Sequence, residues 1–365
     1  MLYQKIVKPV FFKMDPEKAH HVTMDGMRMA NKIPGALSIL NALYGVPEKE
    51  ELSQRLWNIK FSNPVGLAAG LDKNAIAVQG FSSIGFGFME VGTVTPKAQP
   101  GNEQPRLFRL PQDEALINRM GFNNEGADSM AHHLQKVYTK KVPIAVNIGK
   151  NKITPNEDAV RDYQACIKRL YTYGDFFVVN ISSPNTPNLR ELQHGDELNQ
   201  LLQAVMDEMK AQHEKYGKDS KPVLVKIAPD LSDQELEMTI KSIVNHHISG
   251  VIATNTTVSR EGLSHPHAKE TGGLSGKNLL HPSTEIIRKI YKISEGKIPI
   301  IGSGGIFTAE DAYEKIRAGA SLVEIYTSLI YKGPSVVREI NAGLLNLLKR
   351  DGYKHISEAV GAEHK

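Results

Sequence analysis

The feature of this chain that most constrains its fold is an eightfold alternation between short apolar runs and longer amphipathic segments. The apolar runs are residues 63–69, 86–93, 144–149, 176–182, 223–228, 251–255, 300–304 and 322–327. Most are continuous stretches of Val, Ile and Phe, which is typical of parallel strands buried on both faces. The segments between them show helical spacing of apolar residues, as at residues 125–138, 157–173, 197–214, 233–246, 283–293 and 309–318. Eight β-then-α units predict a closed parallel barrel or a doubly wound sheet.

One insertion and two long loops interrupt this alternation. Residues 106–110 and 115–119, separated by a short polar turn, predict a β-hairpin over the top of the barrel, after the second strand. Long loops at residues 183–195 and 257–278 follow the fourth and sixth runs. Loops of this length in a compact domain are usually lids or binding loops, so we expect the functional site at this end.

Residues 1–45 differ from the rest and are predicted to form a helical extension ahead of a barrel domain at residues 46–365. Apolar residues recur there at roughly helical spacing with lysines between them (Leu2, Ile6, Val10 and Phe11). Pro9 argues against a long first helix, whereas Asp15 and Pro16 predict the start of a second one. Such a stripe either packs against the barrel or lies on a bilayer surface. No apolar run is long enough to span a bilayer.

Composition excludes several classes of function. The net charge of +4 over 365 residues, without a basic run, does not indicate nucleic-acid binding. A single cysteine, Cys166, excludes a disulfide framework and fits a reducing compartment. The histidine pairs lack HExxH-type spacing, so no metal site is expected.

The apolar runs end in polar residues that could meet in one pocket. Active sites of (β/α)8 barrels form at the C-terminal ends of the strands, and these ends carry Lys73, Thr93, Asn147, Asn180, Lys226 and Asn255. Helix caps and turns are also rich in Asn, Thr and Gly, but they explain only one or two such ends. Lysines, asparagines and a serine from different strands predict a polar-floored pocket.

A glycine-rich segment after the seventh run indicates a phosphate site. Gly302, Ser303, Gly304 and Gly305 precede a helix that starts near Thr308. Backbone N–H groups of such a loop can hold a phosphate, and barrels build this site after strands seven and eight. A plain turn explains the glycines alone about as well, so their position on the seventh run is the argument for phosphate.

Lys226 leaves three chemical alternatives open. Its ammonium could lie beside a flavin N1–C2=O edge and stabilise the reduced flavin, or it could form a Schiff base as in barrel aldolases. A structural surface lysine fits poorly between Val225 and Ile227. The asparagines favour a flavin, because each amide offers a donor and an acceptor to a flat heterocycle edged with C=O and N–H groups.

Three motifs resemble those of the dihydroorotate dehydrogenases. Residues 63–73 (NPVGLAAGLDK) resemble that family's flavin-binding motif, residues 118–124 (NRMGFNN) its substrate motif and residues 180–186 (NISSPNT) its catalytic loop. The resemblance extends from about Asp15 to Ala342. A serine, Ser183, in the catalytic loop and the N-terminal extension are similar to the membrane-associated, quinone-reducing branch. Thr327 departs from the serine expected beside the tyrosine.

The resemblance implies an α/β (β/α)8 TIM-barrel oxidoreductase that converts (S)-dihydroorotate to orotate in pyrimidine (UMP) biosynthesis. FMN would accept the hydride from C6 and a membrane quinone would be the final oxidant. Ser183 would take the proton from C5 and pass it on through water or Thr186. The implied protein is peripheral, at the cytoplasmic face of the cell membrane, and monomeric or weakly dimeric.

The resemblance also assigns site residues. Those for substrate are Lys73, Asn118, Arg119, Met120, Gly121, Phe122, Asn180, Asn185, Asn255 and Thr256. Those for FMN are Ala69, Gly70, Leu71, Asp72, Lys73, Thr93, Asn147, Asn180, Lys226, Thr254, Gly276, Gly305, Tyr326 and Thr327. Those for the quinone are His20, Arg109 and Tyr326. For His20, a helix-surface histidine next to His21 is the alternative.

Other functions remain open at this stage. A soluble fumarate- or NAD-linked dihydroorotate dehydrogenase is disfavoured by Ser183 and by the extension. A Schiff-base lyase with Lys226 as nucleophile predicts a colourless protein that borohydride traps with substrate. A non-catalytic, membrane-bound barrel scaffold is disfavoured by the intact set of polar strand ends.

Overall fold

A closed barrel of eight parallel strands forms the body of the protein within the described residues, 3–137, 141–217 and 220–365 of a computed structural model. In chain order the barrel strands are β1 (Val65–Leu67), β2 (Phe88–Val94), β3 (Ile144–Ile148), β4 (Phe176–Asn180), β5 (Val223–Ile227), β6 (Gly250–Ala253), β7 (Ile300–Ser303) and β8 (Ala320–Ile325). β8 pairs with β1 and closes the ring, with Val323 opposite Val65. Of the two arrangements that the alternation allowed, the chain adopts the barrel.

Helices surround the barrel, as the amphipathic segments predicted. After the first strand they are α4 (Val78–Ser82), α5 (Ala127–Gln135), α6 (Ala159–Leu170), α7 (Gly195–Tyr216), α8 (Asp233–Asn245), α9 (Leu280–Ile293), α10 (Ala309–Ala318), α11 (Thr327–Lys332), α12 (Val336–Asp351) and α13 (Ile356–Ala359). Each barrel strand is buried along its whole length. This explains why continuous apolar runs marked the strands. Tyr138, where the amphipathic segment predicted at residues 125–138 would end, lies outside the described residues.

A small β-hairpin that the sequence did not predict packs at the N-terminal end of the barrel. Its strands are Gln54–Leu56 and Ile59–Phe61, and they turn at Trp57 and Asn58, which both have positive φ. Phe61 packs into an interior layer with Phe88 and Phe176. Aromatic side chains therefore fill this end of the barrel and leave the other end for a site.

The predicted hairpin insertion is present and gains a third strand. Leu107–Leu110 pairs with Ala115–Asn118, and Gly273–Gly276, from the long loop after β6, pairs with the second of these. Leu107, Leu116 and Ser275 from this sheet line the same cavity as residues at the barrel strand ends. The sheet therefore forms one wall of the barrel mouth.

Three helices form the N-terminal extension: α1 (Lys8–Lys13), α2 (Pro16–Ala30) and α3 (Ala36–Tyr44). A π-helical turn, Tyr3–Val7, leads directly into α1, so Pro9 does not prevent helix formation, because it lies in the first turn of α1, where its missing N–H is not needed. Asp15 Oδ1 accepts hydrogen bonds from the N–H groups of Glu17 and Lys18, which confirms the predicted start of the second helix. Leu2 lies outside the described residues.

Candidate functional site

A cavity with about 1230 Å³ of empty space, part of it open to solvent, lies at the C-terminal ends of the barrel strands. The cavity brings together most of the residues that the sequence analysis singled out, namely His20, Ala69, Gly70, Lys73, Thr93, Asn118, Met120, Gly121, Phe122, Asn180, Ser183, Asn185, Lys226, Thr254, Asn255, Thr256, Gly276, Gly305, Tyr326 and Thr327. The site is thus built from several strand ends, the added sheet and the extension.

Four residues of the predicted flavin and substrate sets do not line the cavity: Leu71, Asp72, Arg119 and Asn147. Leu71 is buried in the hydrophobic core. The Asp72 carboxylate accepts hydrogen bonds from the backbone N–H groups of the turn that follows it, and burial raises its pKa to about 6. Arg119 Nη1 lies 2.7 Å from Oε2 of Glu270. Asn147, described below, is likewise held by neighbouring side chains, and the ligand contacts expected of these four residues stay predictions.

Arg109 lies between the hairpin insertion and the extension, outside the cavity lining. Its Nη1 donates to the Met14 carbonyl at 2.8 Å, and its guanidinium lies over the Phe12 ring, 4.9 Å from the centroid. Burial lowers the pKa of Arg109. Of the three residues predicted for the quinone, His20 and Tyr326 line the cavity and Arg109 lies against α1.

The floor of the cavity holds a buried lysine between two buried carboxylates. Lys226 Nζ lies 2.6 Å from Oε2 of Glu90 and 3.4 Å from Oε2 of Glu324. Burial, reinforced by the charge of Glu90, raises the pKa of Glu324 well above its usual range. Burial alone would lower the pKa of Lys226, but Glu324 and Glu90 outweigh it and raise that pKa. The two ion-pair contacts therefore favour the ammonium form of Lys226, which is not nucleophilic.

Glu90 and Glu324, which both contact Lys226, are residues of the site that the sequence analysis missed. Each is a single carboxylate inside an otherwise apolar run. That was a usable signal, because a charge is not buried in a core without a partner.

A chain of amide and hydroxyl groups continues from this floor. Asn147 Nδ2 donates to Glu90 Oε1 at 2.6 Å, and Asn147 Oδ1 accepts from Thr93 Oγ1 at 2.5 Å. Asn180 Nδ2 donates to Thr93 Oγ1 at 2.9 Å, and Asn255 Nδ2 donates to Asn180 Oδ1 at 3.4 Å. Asn147 is fully buried and does not line the cavity, so it orients its neighbours. The network fixes which amide atoms face the cavity.

The loop after β4 places Ser183 at the cavity wall. Ser183 is 6% exposed, and its Oγ accepts from the Asn185 backbone N–H at 3.2 Å. Asn185 Nδ2 donates to Asn118 Oδ1 at 3.2 Å, which joins this loop to the added sheet. Thr186 Oγ1 is buried without a hydrogen-bond partner among the described residues. The loop thus has one hydroxyl at the cavity, on Ser183, and a second, buried hydroxyl on Thr186.

Arg190, which the sequence analysis did not identify, connects the loop after β4 to the loop after β6. Its Nε donates to the Ser182 carbonyl at 2.9 Å and its Nη2 to the Thr256 carbonyl at 3.0 Å. Its Nη1 lies 2.8 Å from Oδ2 of Asp230. A planar guanidinium can satisfy three acceptors in this way.

Glycines from the added sheet and from the loop after β7 form a cradle in the cavity wall. Gly276, Gly304 and Gly305 have φ values of +122°, +115° and +75°. A Cβ on Gly305 would lie 2.3 Å from the Leu280 backbone nitrogen, so no larger residue fits. Ser328 lines the cavity here, and its buried Oγ has no partner among the described residues. Close backbone approach and a free hydroxyl suit an anion such as phosphate.

Two basic groups face the cavity from the extension side. Lys73 Nζ donates to the Gly70 carbonyl at 2.7 Å, and burial lowers its pKa to about 8. Burial, together with the charge of Lys73, lowers the pKa of His20 to about 3. His20 is therefore neutral, and Lys73 is the cation of this wall. Nowhere in the described residues do three or more His, Cys, Asp or Glu side chains gather as a metal site.

Known proteins share this sequence and architecture. The family model for Dihydroorotate dehydrogenase matches residues 51–348. A protein of Deinococcus deserti named Dihydroorotate dehydrogenase (quinone) is 51% identical over 362 residues, which are 99% of this chain and 100% of the relative. One of the same name from Christiangramia forsetii is 52% identical over 344 residues, 94% of this chain and 99% of the relative. The crystal structure of DHODH from Eimeria tenella in complex with ferulenol has a TM-score of 0.89 at 41% identity, over 96% of both chains.

Proposed function

This chain belongs to the dihydroorotate dehydrogenase family, and from that premise we propose that its cavity oxidises dihydroorotate to orotate, with FMN as the first electron acceptor and a quinone as the last. The relatives carry the quinone in their names. The observation that carries the proposal is one continuous cavity that contains the Ser183 hydroxyl, the Lys226 ammonium and the glycine cradle. A site that can remove a proton and a site that can hold a phosphate lie in one cavity, which suits a redox enzyme with a phosphorylated cofactor.

The cavity fits FMN in three respects. The family is flavin-dependent, and the cradle of Gly276, Gly304 and Gly305 suits one terminal phosphate. Ser328 Oγ offers that phosphate a hydroxyl that is otherwise unpaired in the described residues. The Lys226 ammonium would favour negative charge on the ring system. When bound, FMN supplies the acceptor for the hydride that leaves the substrate.

Ser183 acts on the substrate proton in this proposal. Removing a proton next to a carbonyl needs a base placed at the carbon and a cation for the developing negative charge. Ser183 supplies the first and Lys73, whose pKa is lowered to about 8 by burial, supplies the second. A serine hydroxyl must hand the proton on, and the buried Thr186 Oγ1 lies in the same loop. The amides of Asn118, Asn180, Asn185 and Asn255 would hold the carboxylate and ring edges of orotate.

The N-terminal extension is proposed to lie on a bilayer and admit the quinone. Seven of the twelve large apolar side chains that are exposed in the described residues belong to it: Ile6, Val10, Val22, Met29, Ile33, Ile39 and Leu43. Exposed apolar side chains in this number are typical of an interaction surface. Lysines such as Lys13 and Lys18 are also exposed there and would attract anionic headgroups. No helix in the described residues is both long and apolar enough to cross a membrane.

One spectroscopic experiment tests the whole proposal. The absorbance spectrum of the purified protein should show flavin bands that bleach with dihydroorotate under anaerobic conditions and return when a quinone is added. The released cofactor should co-migrate with FMN in chromatography. A colourless protein that does not take up FMN, or a flavin that dihydroorotate leaves oxidised, would overturn the proposal.

A further inference from the structure

A buried ion pair links the extension to Arg106, the residue that precedes the first strand of the hairpin insertion. Arg106 Nη2 lies 2.7 Å from Oε1 of Glu17, and Arg106 Nε lies 3.1 and 3.2 Å from the two carboxylate oxygens. The exposed fractions of Glu17 and Arg106 are 5% and 8%. Gln104 Nε2 also donates to Glu17, at 3.0 Å. Burial raises the pKa of Glu17, but the Arg106 bonds outweigh it and the pKa is lowered, so the carboxylate is charged.

The other side of Arg106 holds a backbone turn. Arg106 Nη1 donates to the Pro100 and Asn102 carbonyls, both at 2.7 Å. A Cβ on Gly101 would lie 2.9 Å from that same nitrogen, so the turn closes tightly around the guanidinium. The position of the turn therefore depends on where Glu17 holds Arg106.

Asn102 connects this turn to residues 118–122, the segment predicted to bind substrate. Its Nδ2 donates to the Arg119 carbonyl at 3.0 Å and to the Asn185 carbonyl at 3.1 Å. A Cβ on Gly121 would lie 2.7 Å from the Asn102 side chain. Asn102 thus touches both the segment of residues 118–122 and the loop of Ser183. Neither Glu17, Asn102 nor Arg106 lines the cavity.

We propose that Glu17 and Arg106 are positioning residues for dihydroorotate, and that the extension shapes the substrate pocket in addition to admitting the quinone. This inference rests on the proposed function. The buried charge pair fixes the turn at Pro100–Asn102, and Asn102 then sets the distance between Asn118 and Asn185 on either side of the substrate. Losing either connection should loosen the pocket for orotate without changing the contacts of the glycine cradle, none of which involves Glu17, Asn102 or Arg106.

The test is orotate binding to the holoenzyme, measured by calorimetry for Glu17→Gln and for Asn102→Ala. Asp25→Asn is the matched control, because Asp25 lies on the same helix in an exposed pair with Arg28. We expect both variants to bind orotate about tenfold more weakly, the effect of about one hydrogen bond to a charged group. The KM for dihydroorotate should rise while FMN content and the KM for quinone stay at wild-type values.

The possible results distinguish a failure of this inference from a failure of the proposed function. Orotate affinity within about twofold of wild type in both variants, or a change in the quinone KM alone, would overturn the inference. If Glu17→Gln does not fold, Asn102→Ala decides, because that substitution leaves the buried pair intact. A wild-type protein that does not bind orotate would instead refute the proposed function.

Discussion

Lys226 Nζ lies 2.6 Å from Oε2 of Glu90 in the barrel, where the two side chains are 6% and 0% exposed. An exposed pair of the same length, between Lys241 and Glu237, has side chains that are 65% and 52% exposed. The two pairs share chemistry and distance and differ in burial.

This difference predicts unequal costs of removing the lysine. Lys226→Met leaves Glu90 buried without its closest cation, and breaking a buried pair costs about 3–5 kcal/mol. Lys241→Met should cost less than about 1 kcal/mol, because exposed pairs contribute little. Urea unfolding measures both. Equal losses in the two variants would show that the Lys226 pair does not stabilise the barrel in this way.

Gly305 should control the affinity for the cofactor. Gly305→Ala adds a Cβ that would lie 2.3 Å from the Leu280 nitrogen, whereas Gly217, also at positive φ, has no atom within 4 Å of its ideal Cβ. Both substitutions carry the left-handed backbone cost of about 1–2 kcal/mol. Only Gly305→Ala should weaken FMN affinity, by about tenfold or more, as measured by fluorescence of released flavin. FMN affinity that is the same in both variants would contradict the cradle.

The sequence predicted the barrel well because buried parallel strands are apolar along their whole length. The hairpin from Gln54 to Phe61 escaped prediction because its strands have three residues each and its turn, Trp57–Asn58, lacks glycine. Such short segments carry too little periodicity to be recognised. Tertiary packing against Phe88 and Phe176 holds them in place.

The residues of the site were predicted less completely than the barrel strands, because a motif does not specify where each side chain points. Asn118 lines the cavity while Arg119 beside it pairs with Glu270, because successive side chains near a strand end point to opposite faces. Arg190 does not belong to any motif that was recognised in the sequence. Its role depends on the loops after β4, β5 and β6 meeting in space, which no local pattern shows.

Ser183 should affect one half-reaction only. Ser183→Ala removes the proposed base while the glycine cradle and the Lys226 pair remain, so the flavin should stay bound. Flavin reduction by dihydroorotate should slow by about 10²–10⁴, the usual contribution of a placed base. Stopped-flow absorbance measures this step, and reoxidation by quinone is the internal control. Reduction at the wild-type rate would remove Ser183 from the proton transfer.

His20 should make stability depend on pH in a defined window. Burial lowers the pKa of His20 from 6.5 to about 3, so between these values the unfolded chain binds a proton that the folded chain does not. The contribution of neutral His20 to the free energy of unfolding is therefore fully present above about pH 6.5, and it is lost as the pH falls toward 3. His20→Gln should reduce this acid sensitivity in urea unfolding, whereas the exposed neighbour His21→Gln, 63% exposed, should not. Identical pH profiles for wild type and His20→Gln would contradict a His20 that stays neutral in the folded protein.

Two exposed isoleucines distinguish the extension from the rest of the surface. Ile39, in α3, is 61% exposed, and Ile153, in a loop of the barrel, is 85% exposed. If the extension lies on a bilayer, Ile39→Glu places a charge at the headgroup–acyl boundary and opposes insertion, while Ile153→Glu changes only a solvated loop. Co-sedimentation with vesicles of mixed neutral and anionic lipid should therefore fall for Ile39→Glu alone. The same variant should oxidise dihydroorotate at the wild-type rate with a short-chain, water-soluble quinone, and more slowly with a long-chain quinone embedded in the vesicles. If both variants sediment like the wild type, residue 39 does not contact the bilayer, and a loss of activity with both quinones would locate the defect in the barrel instead.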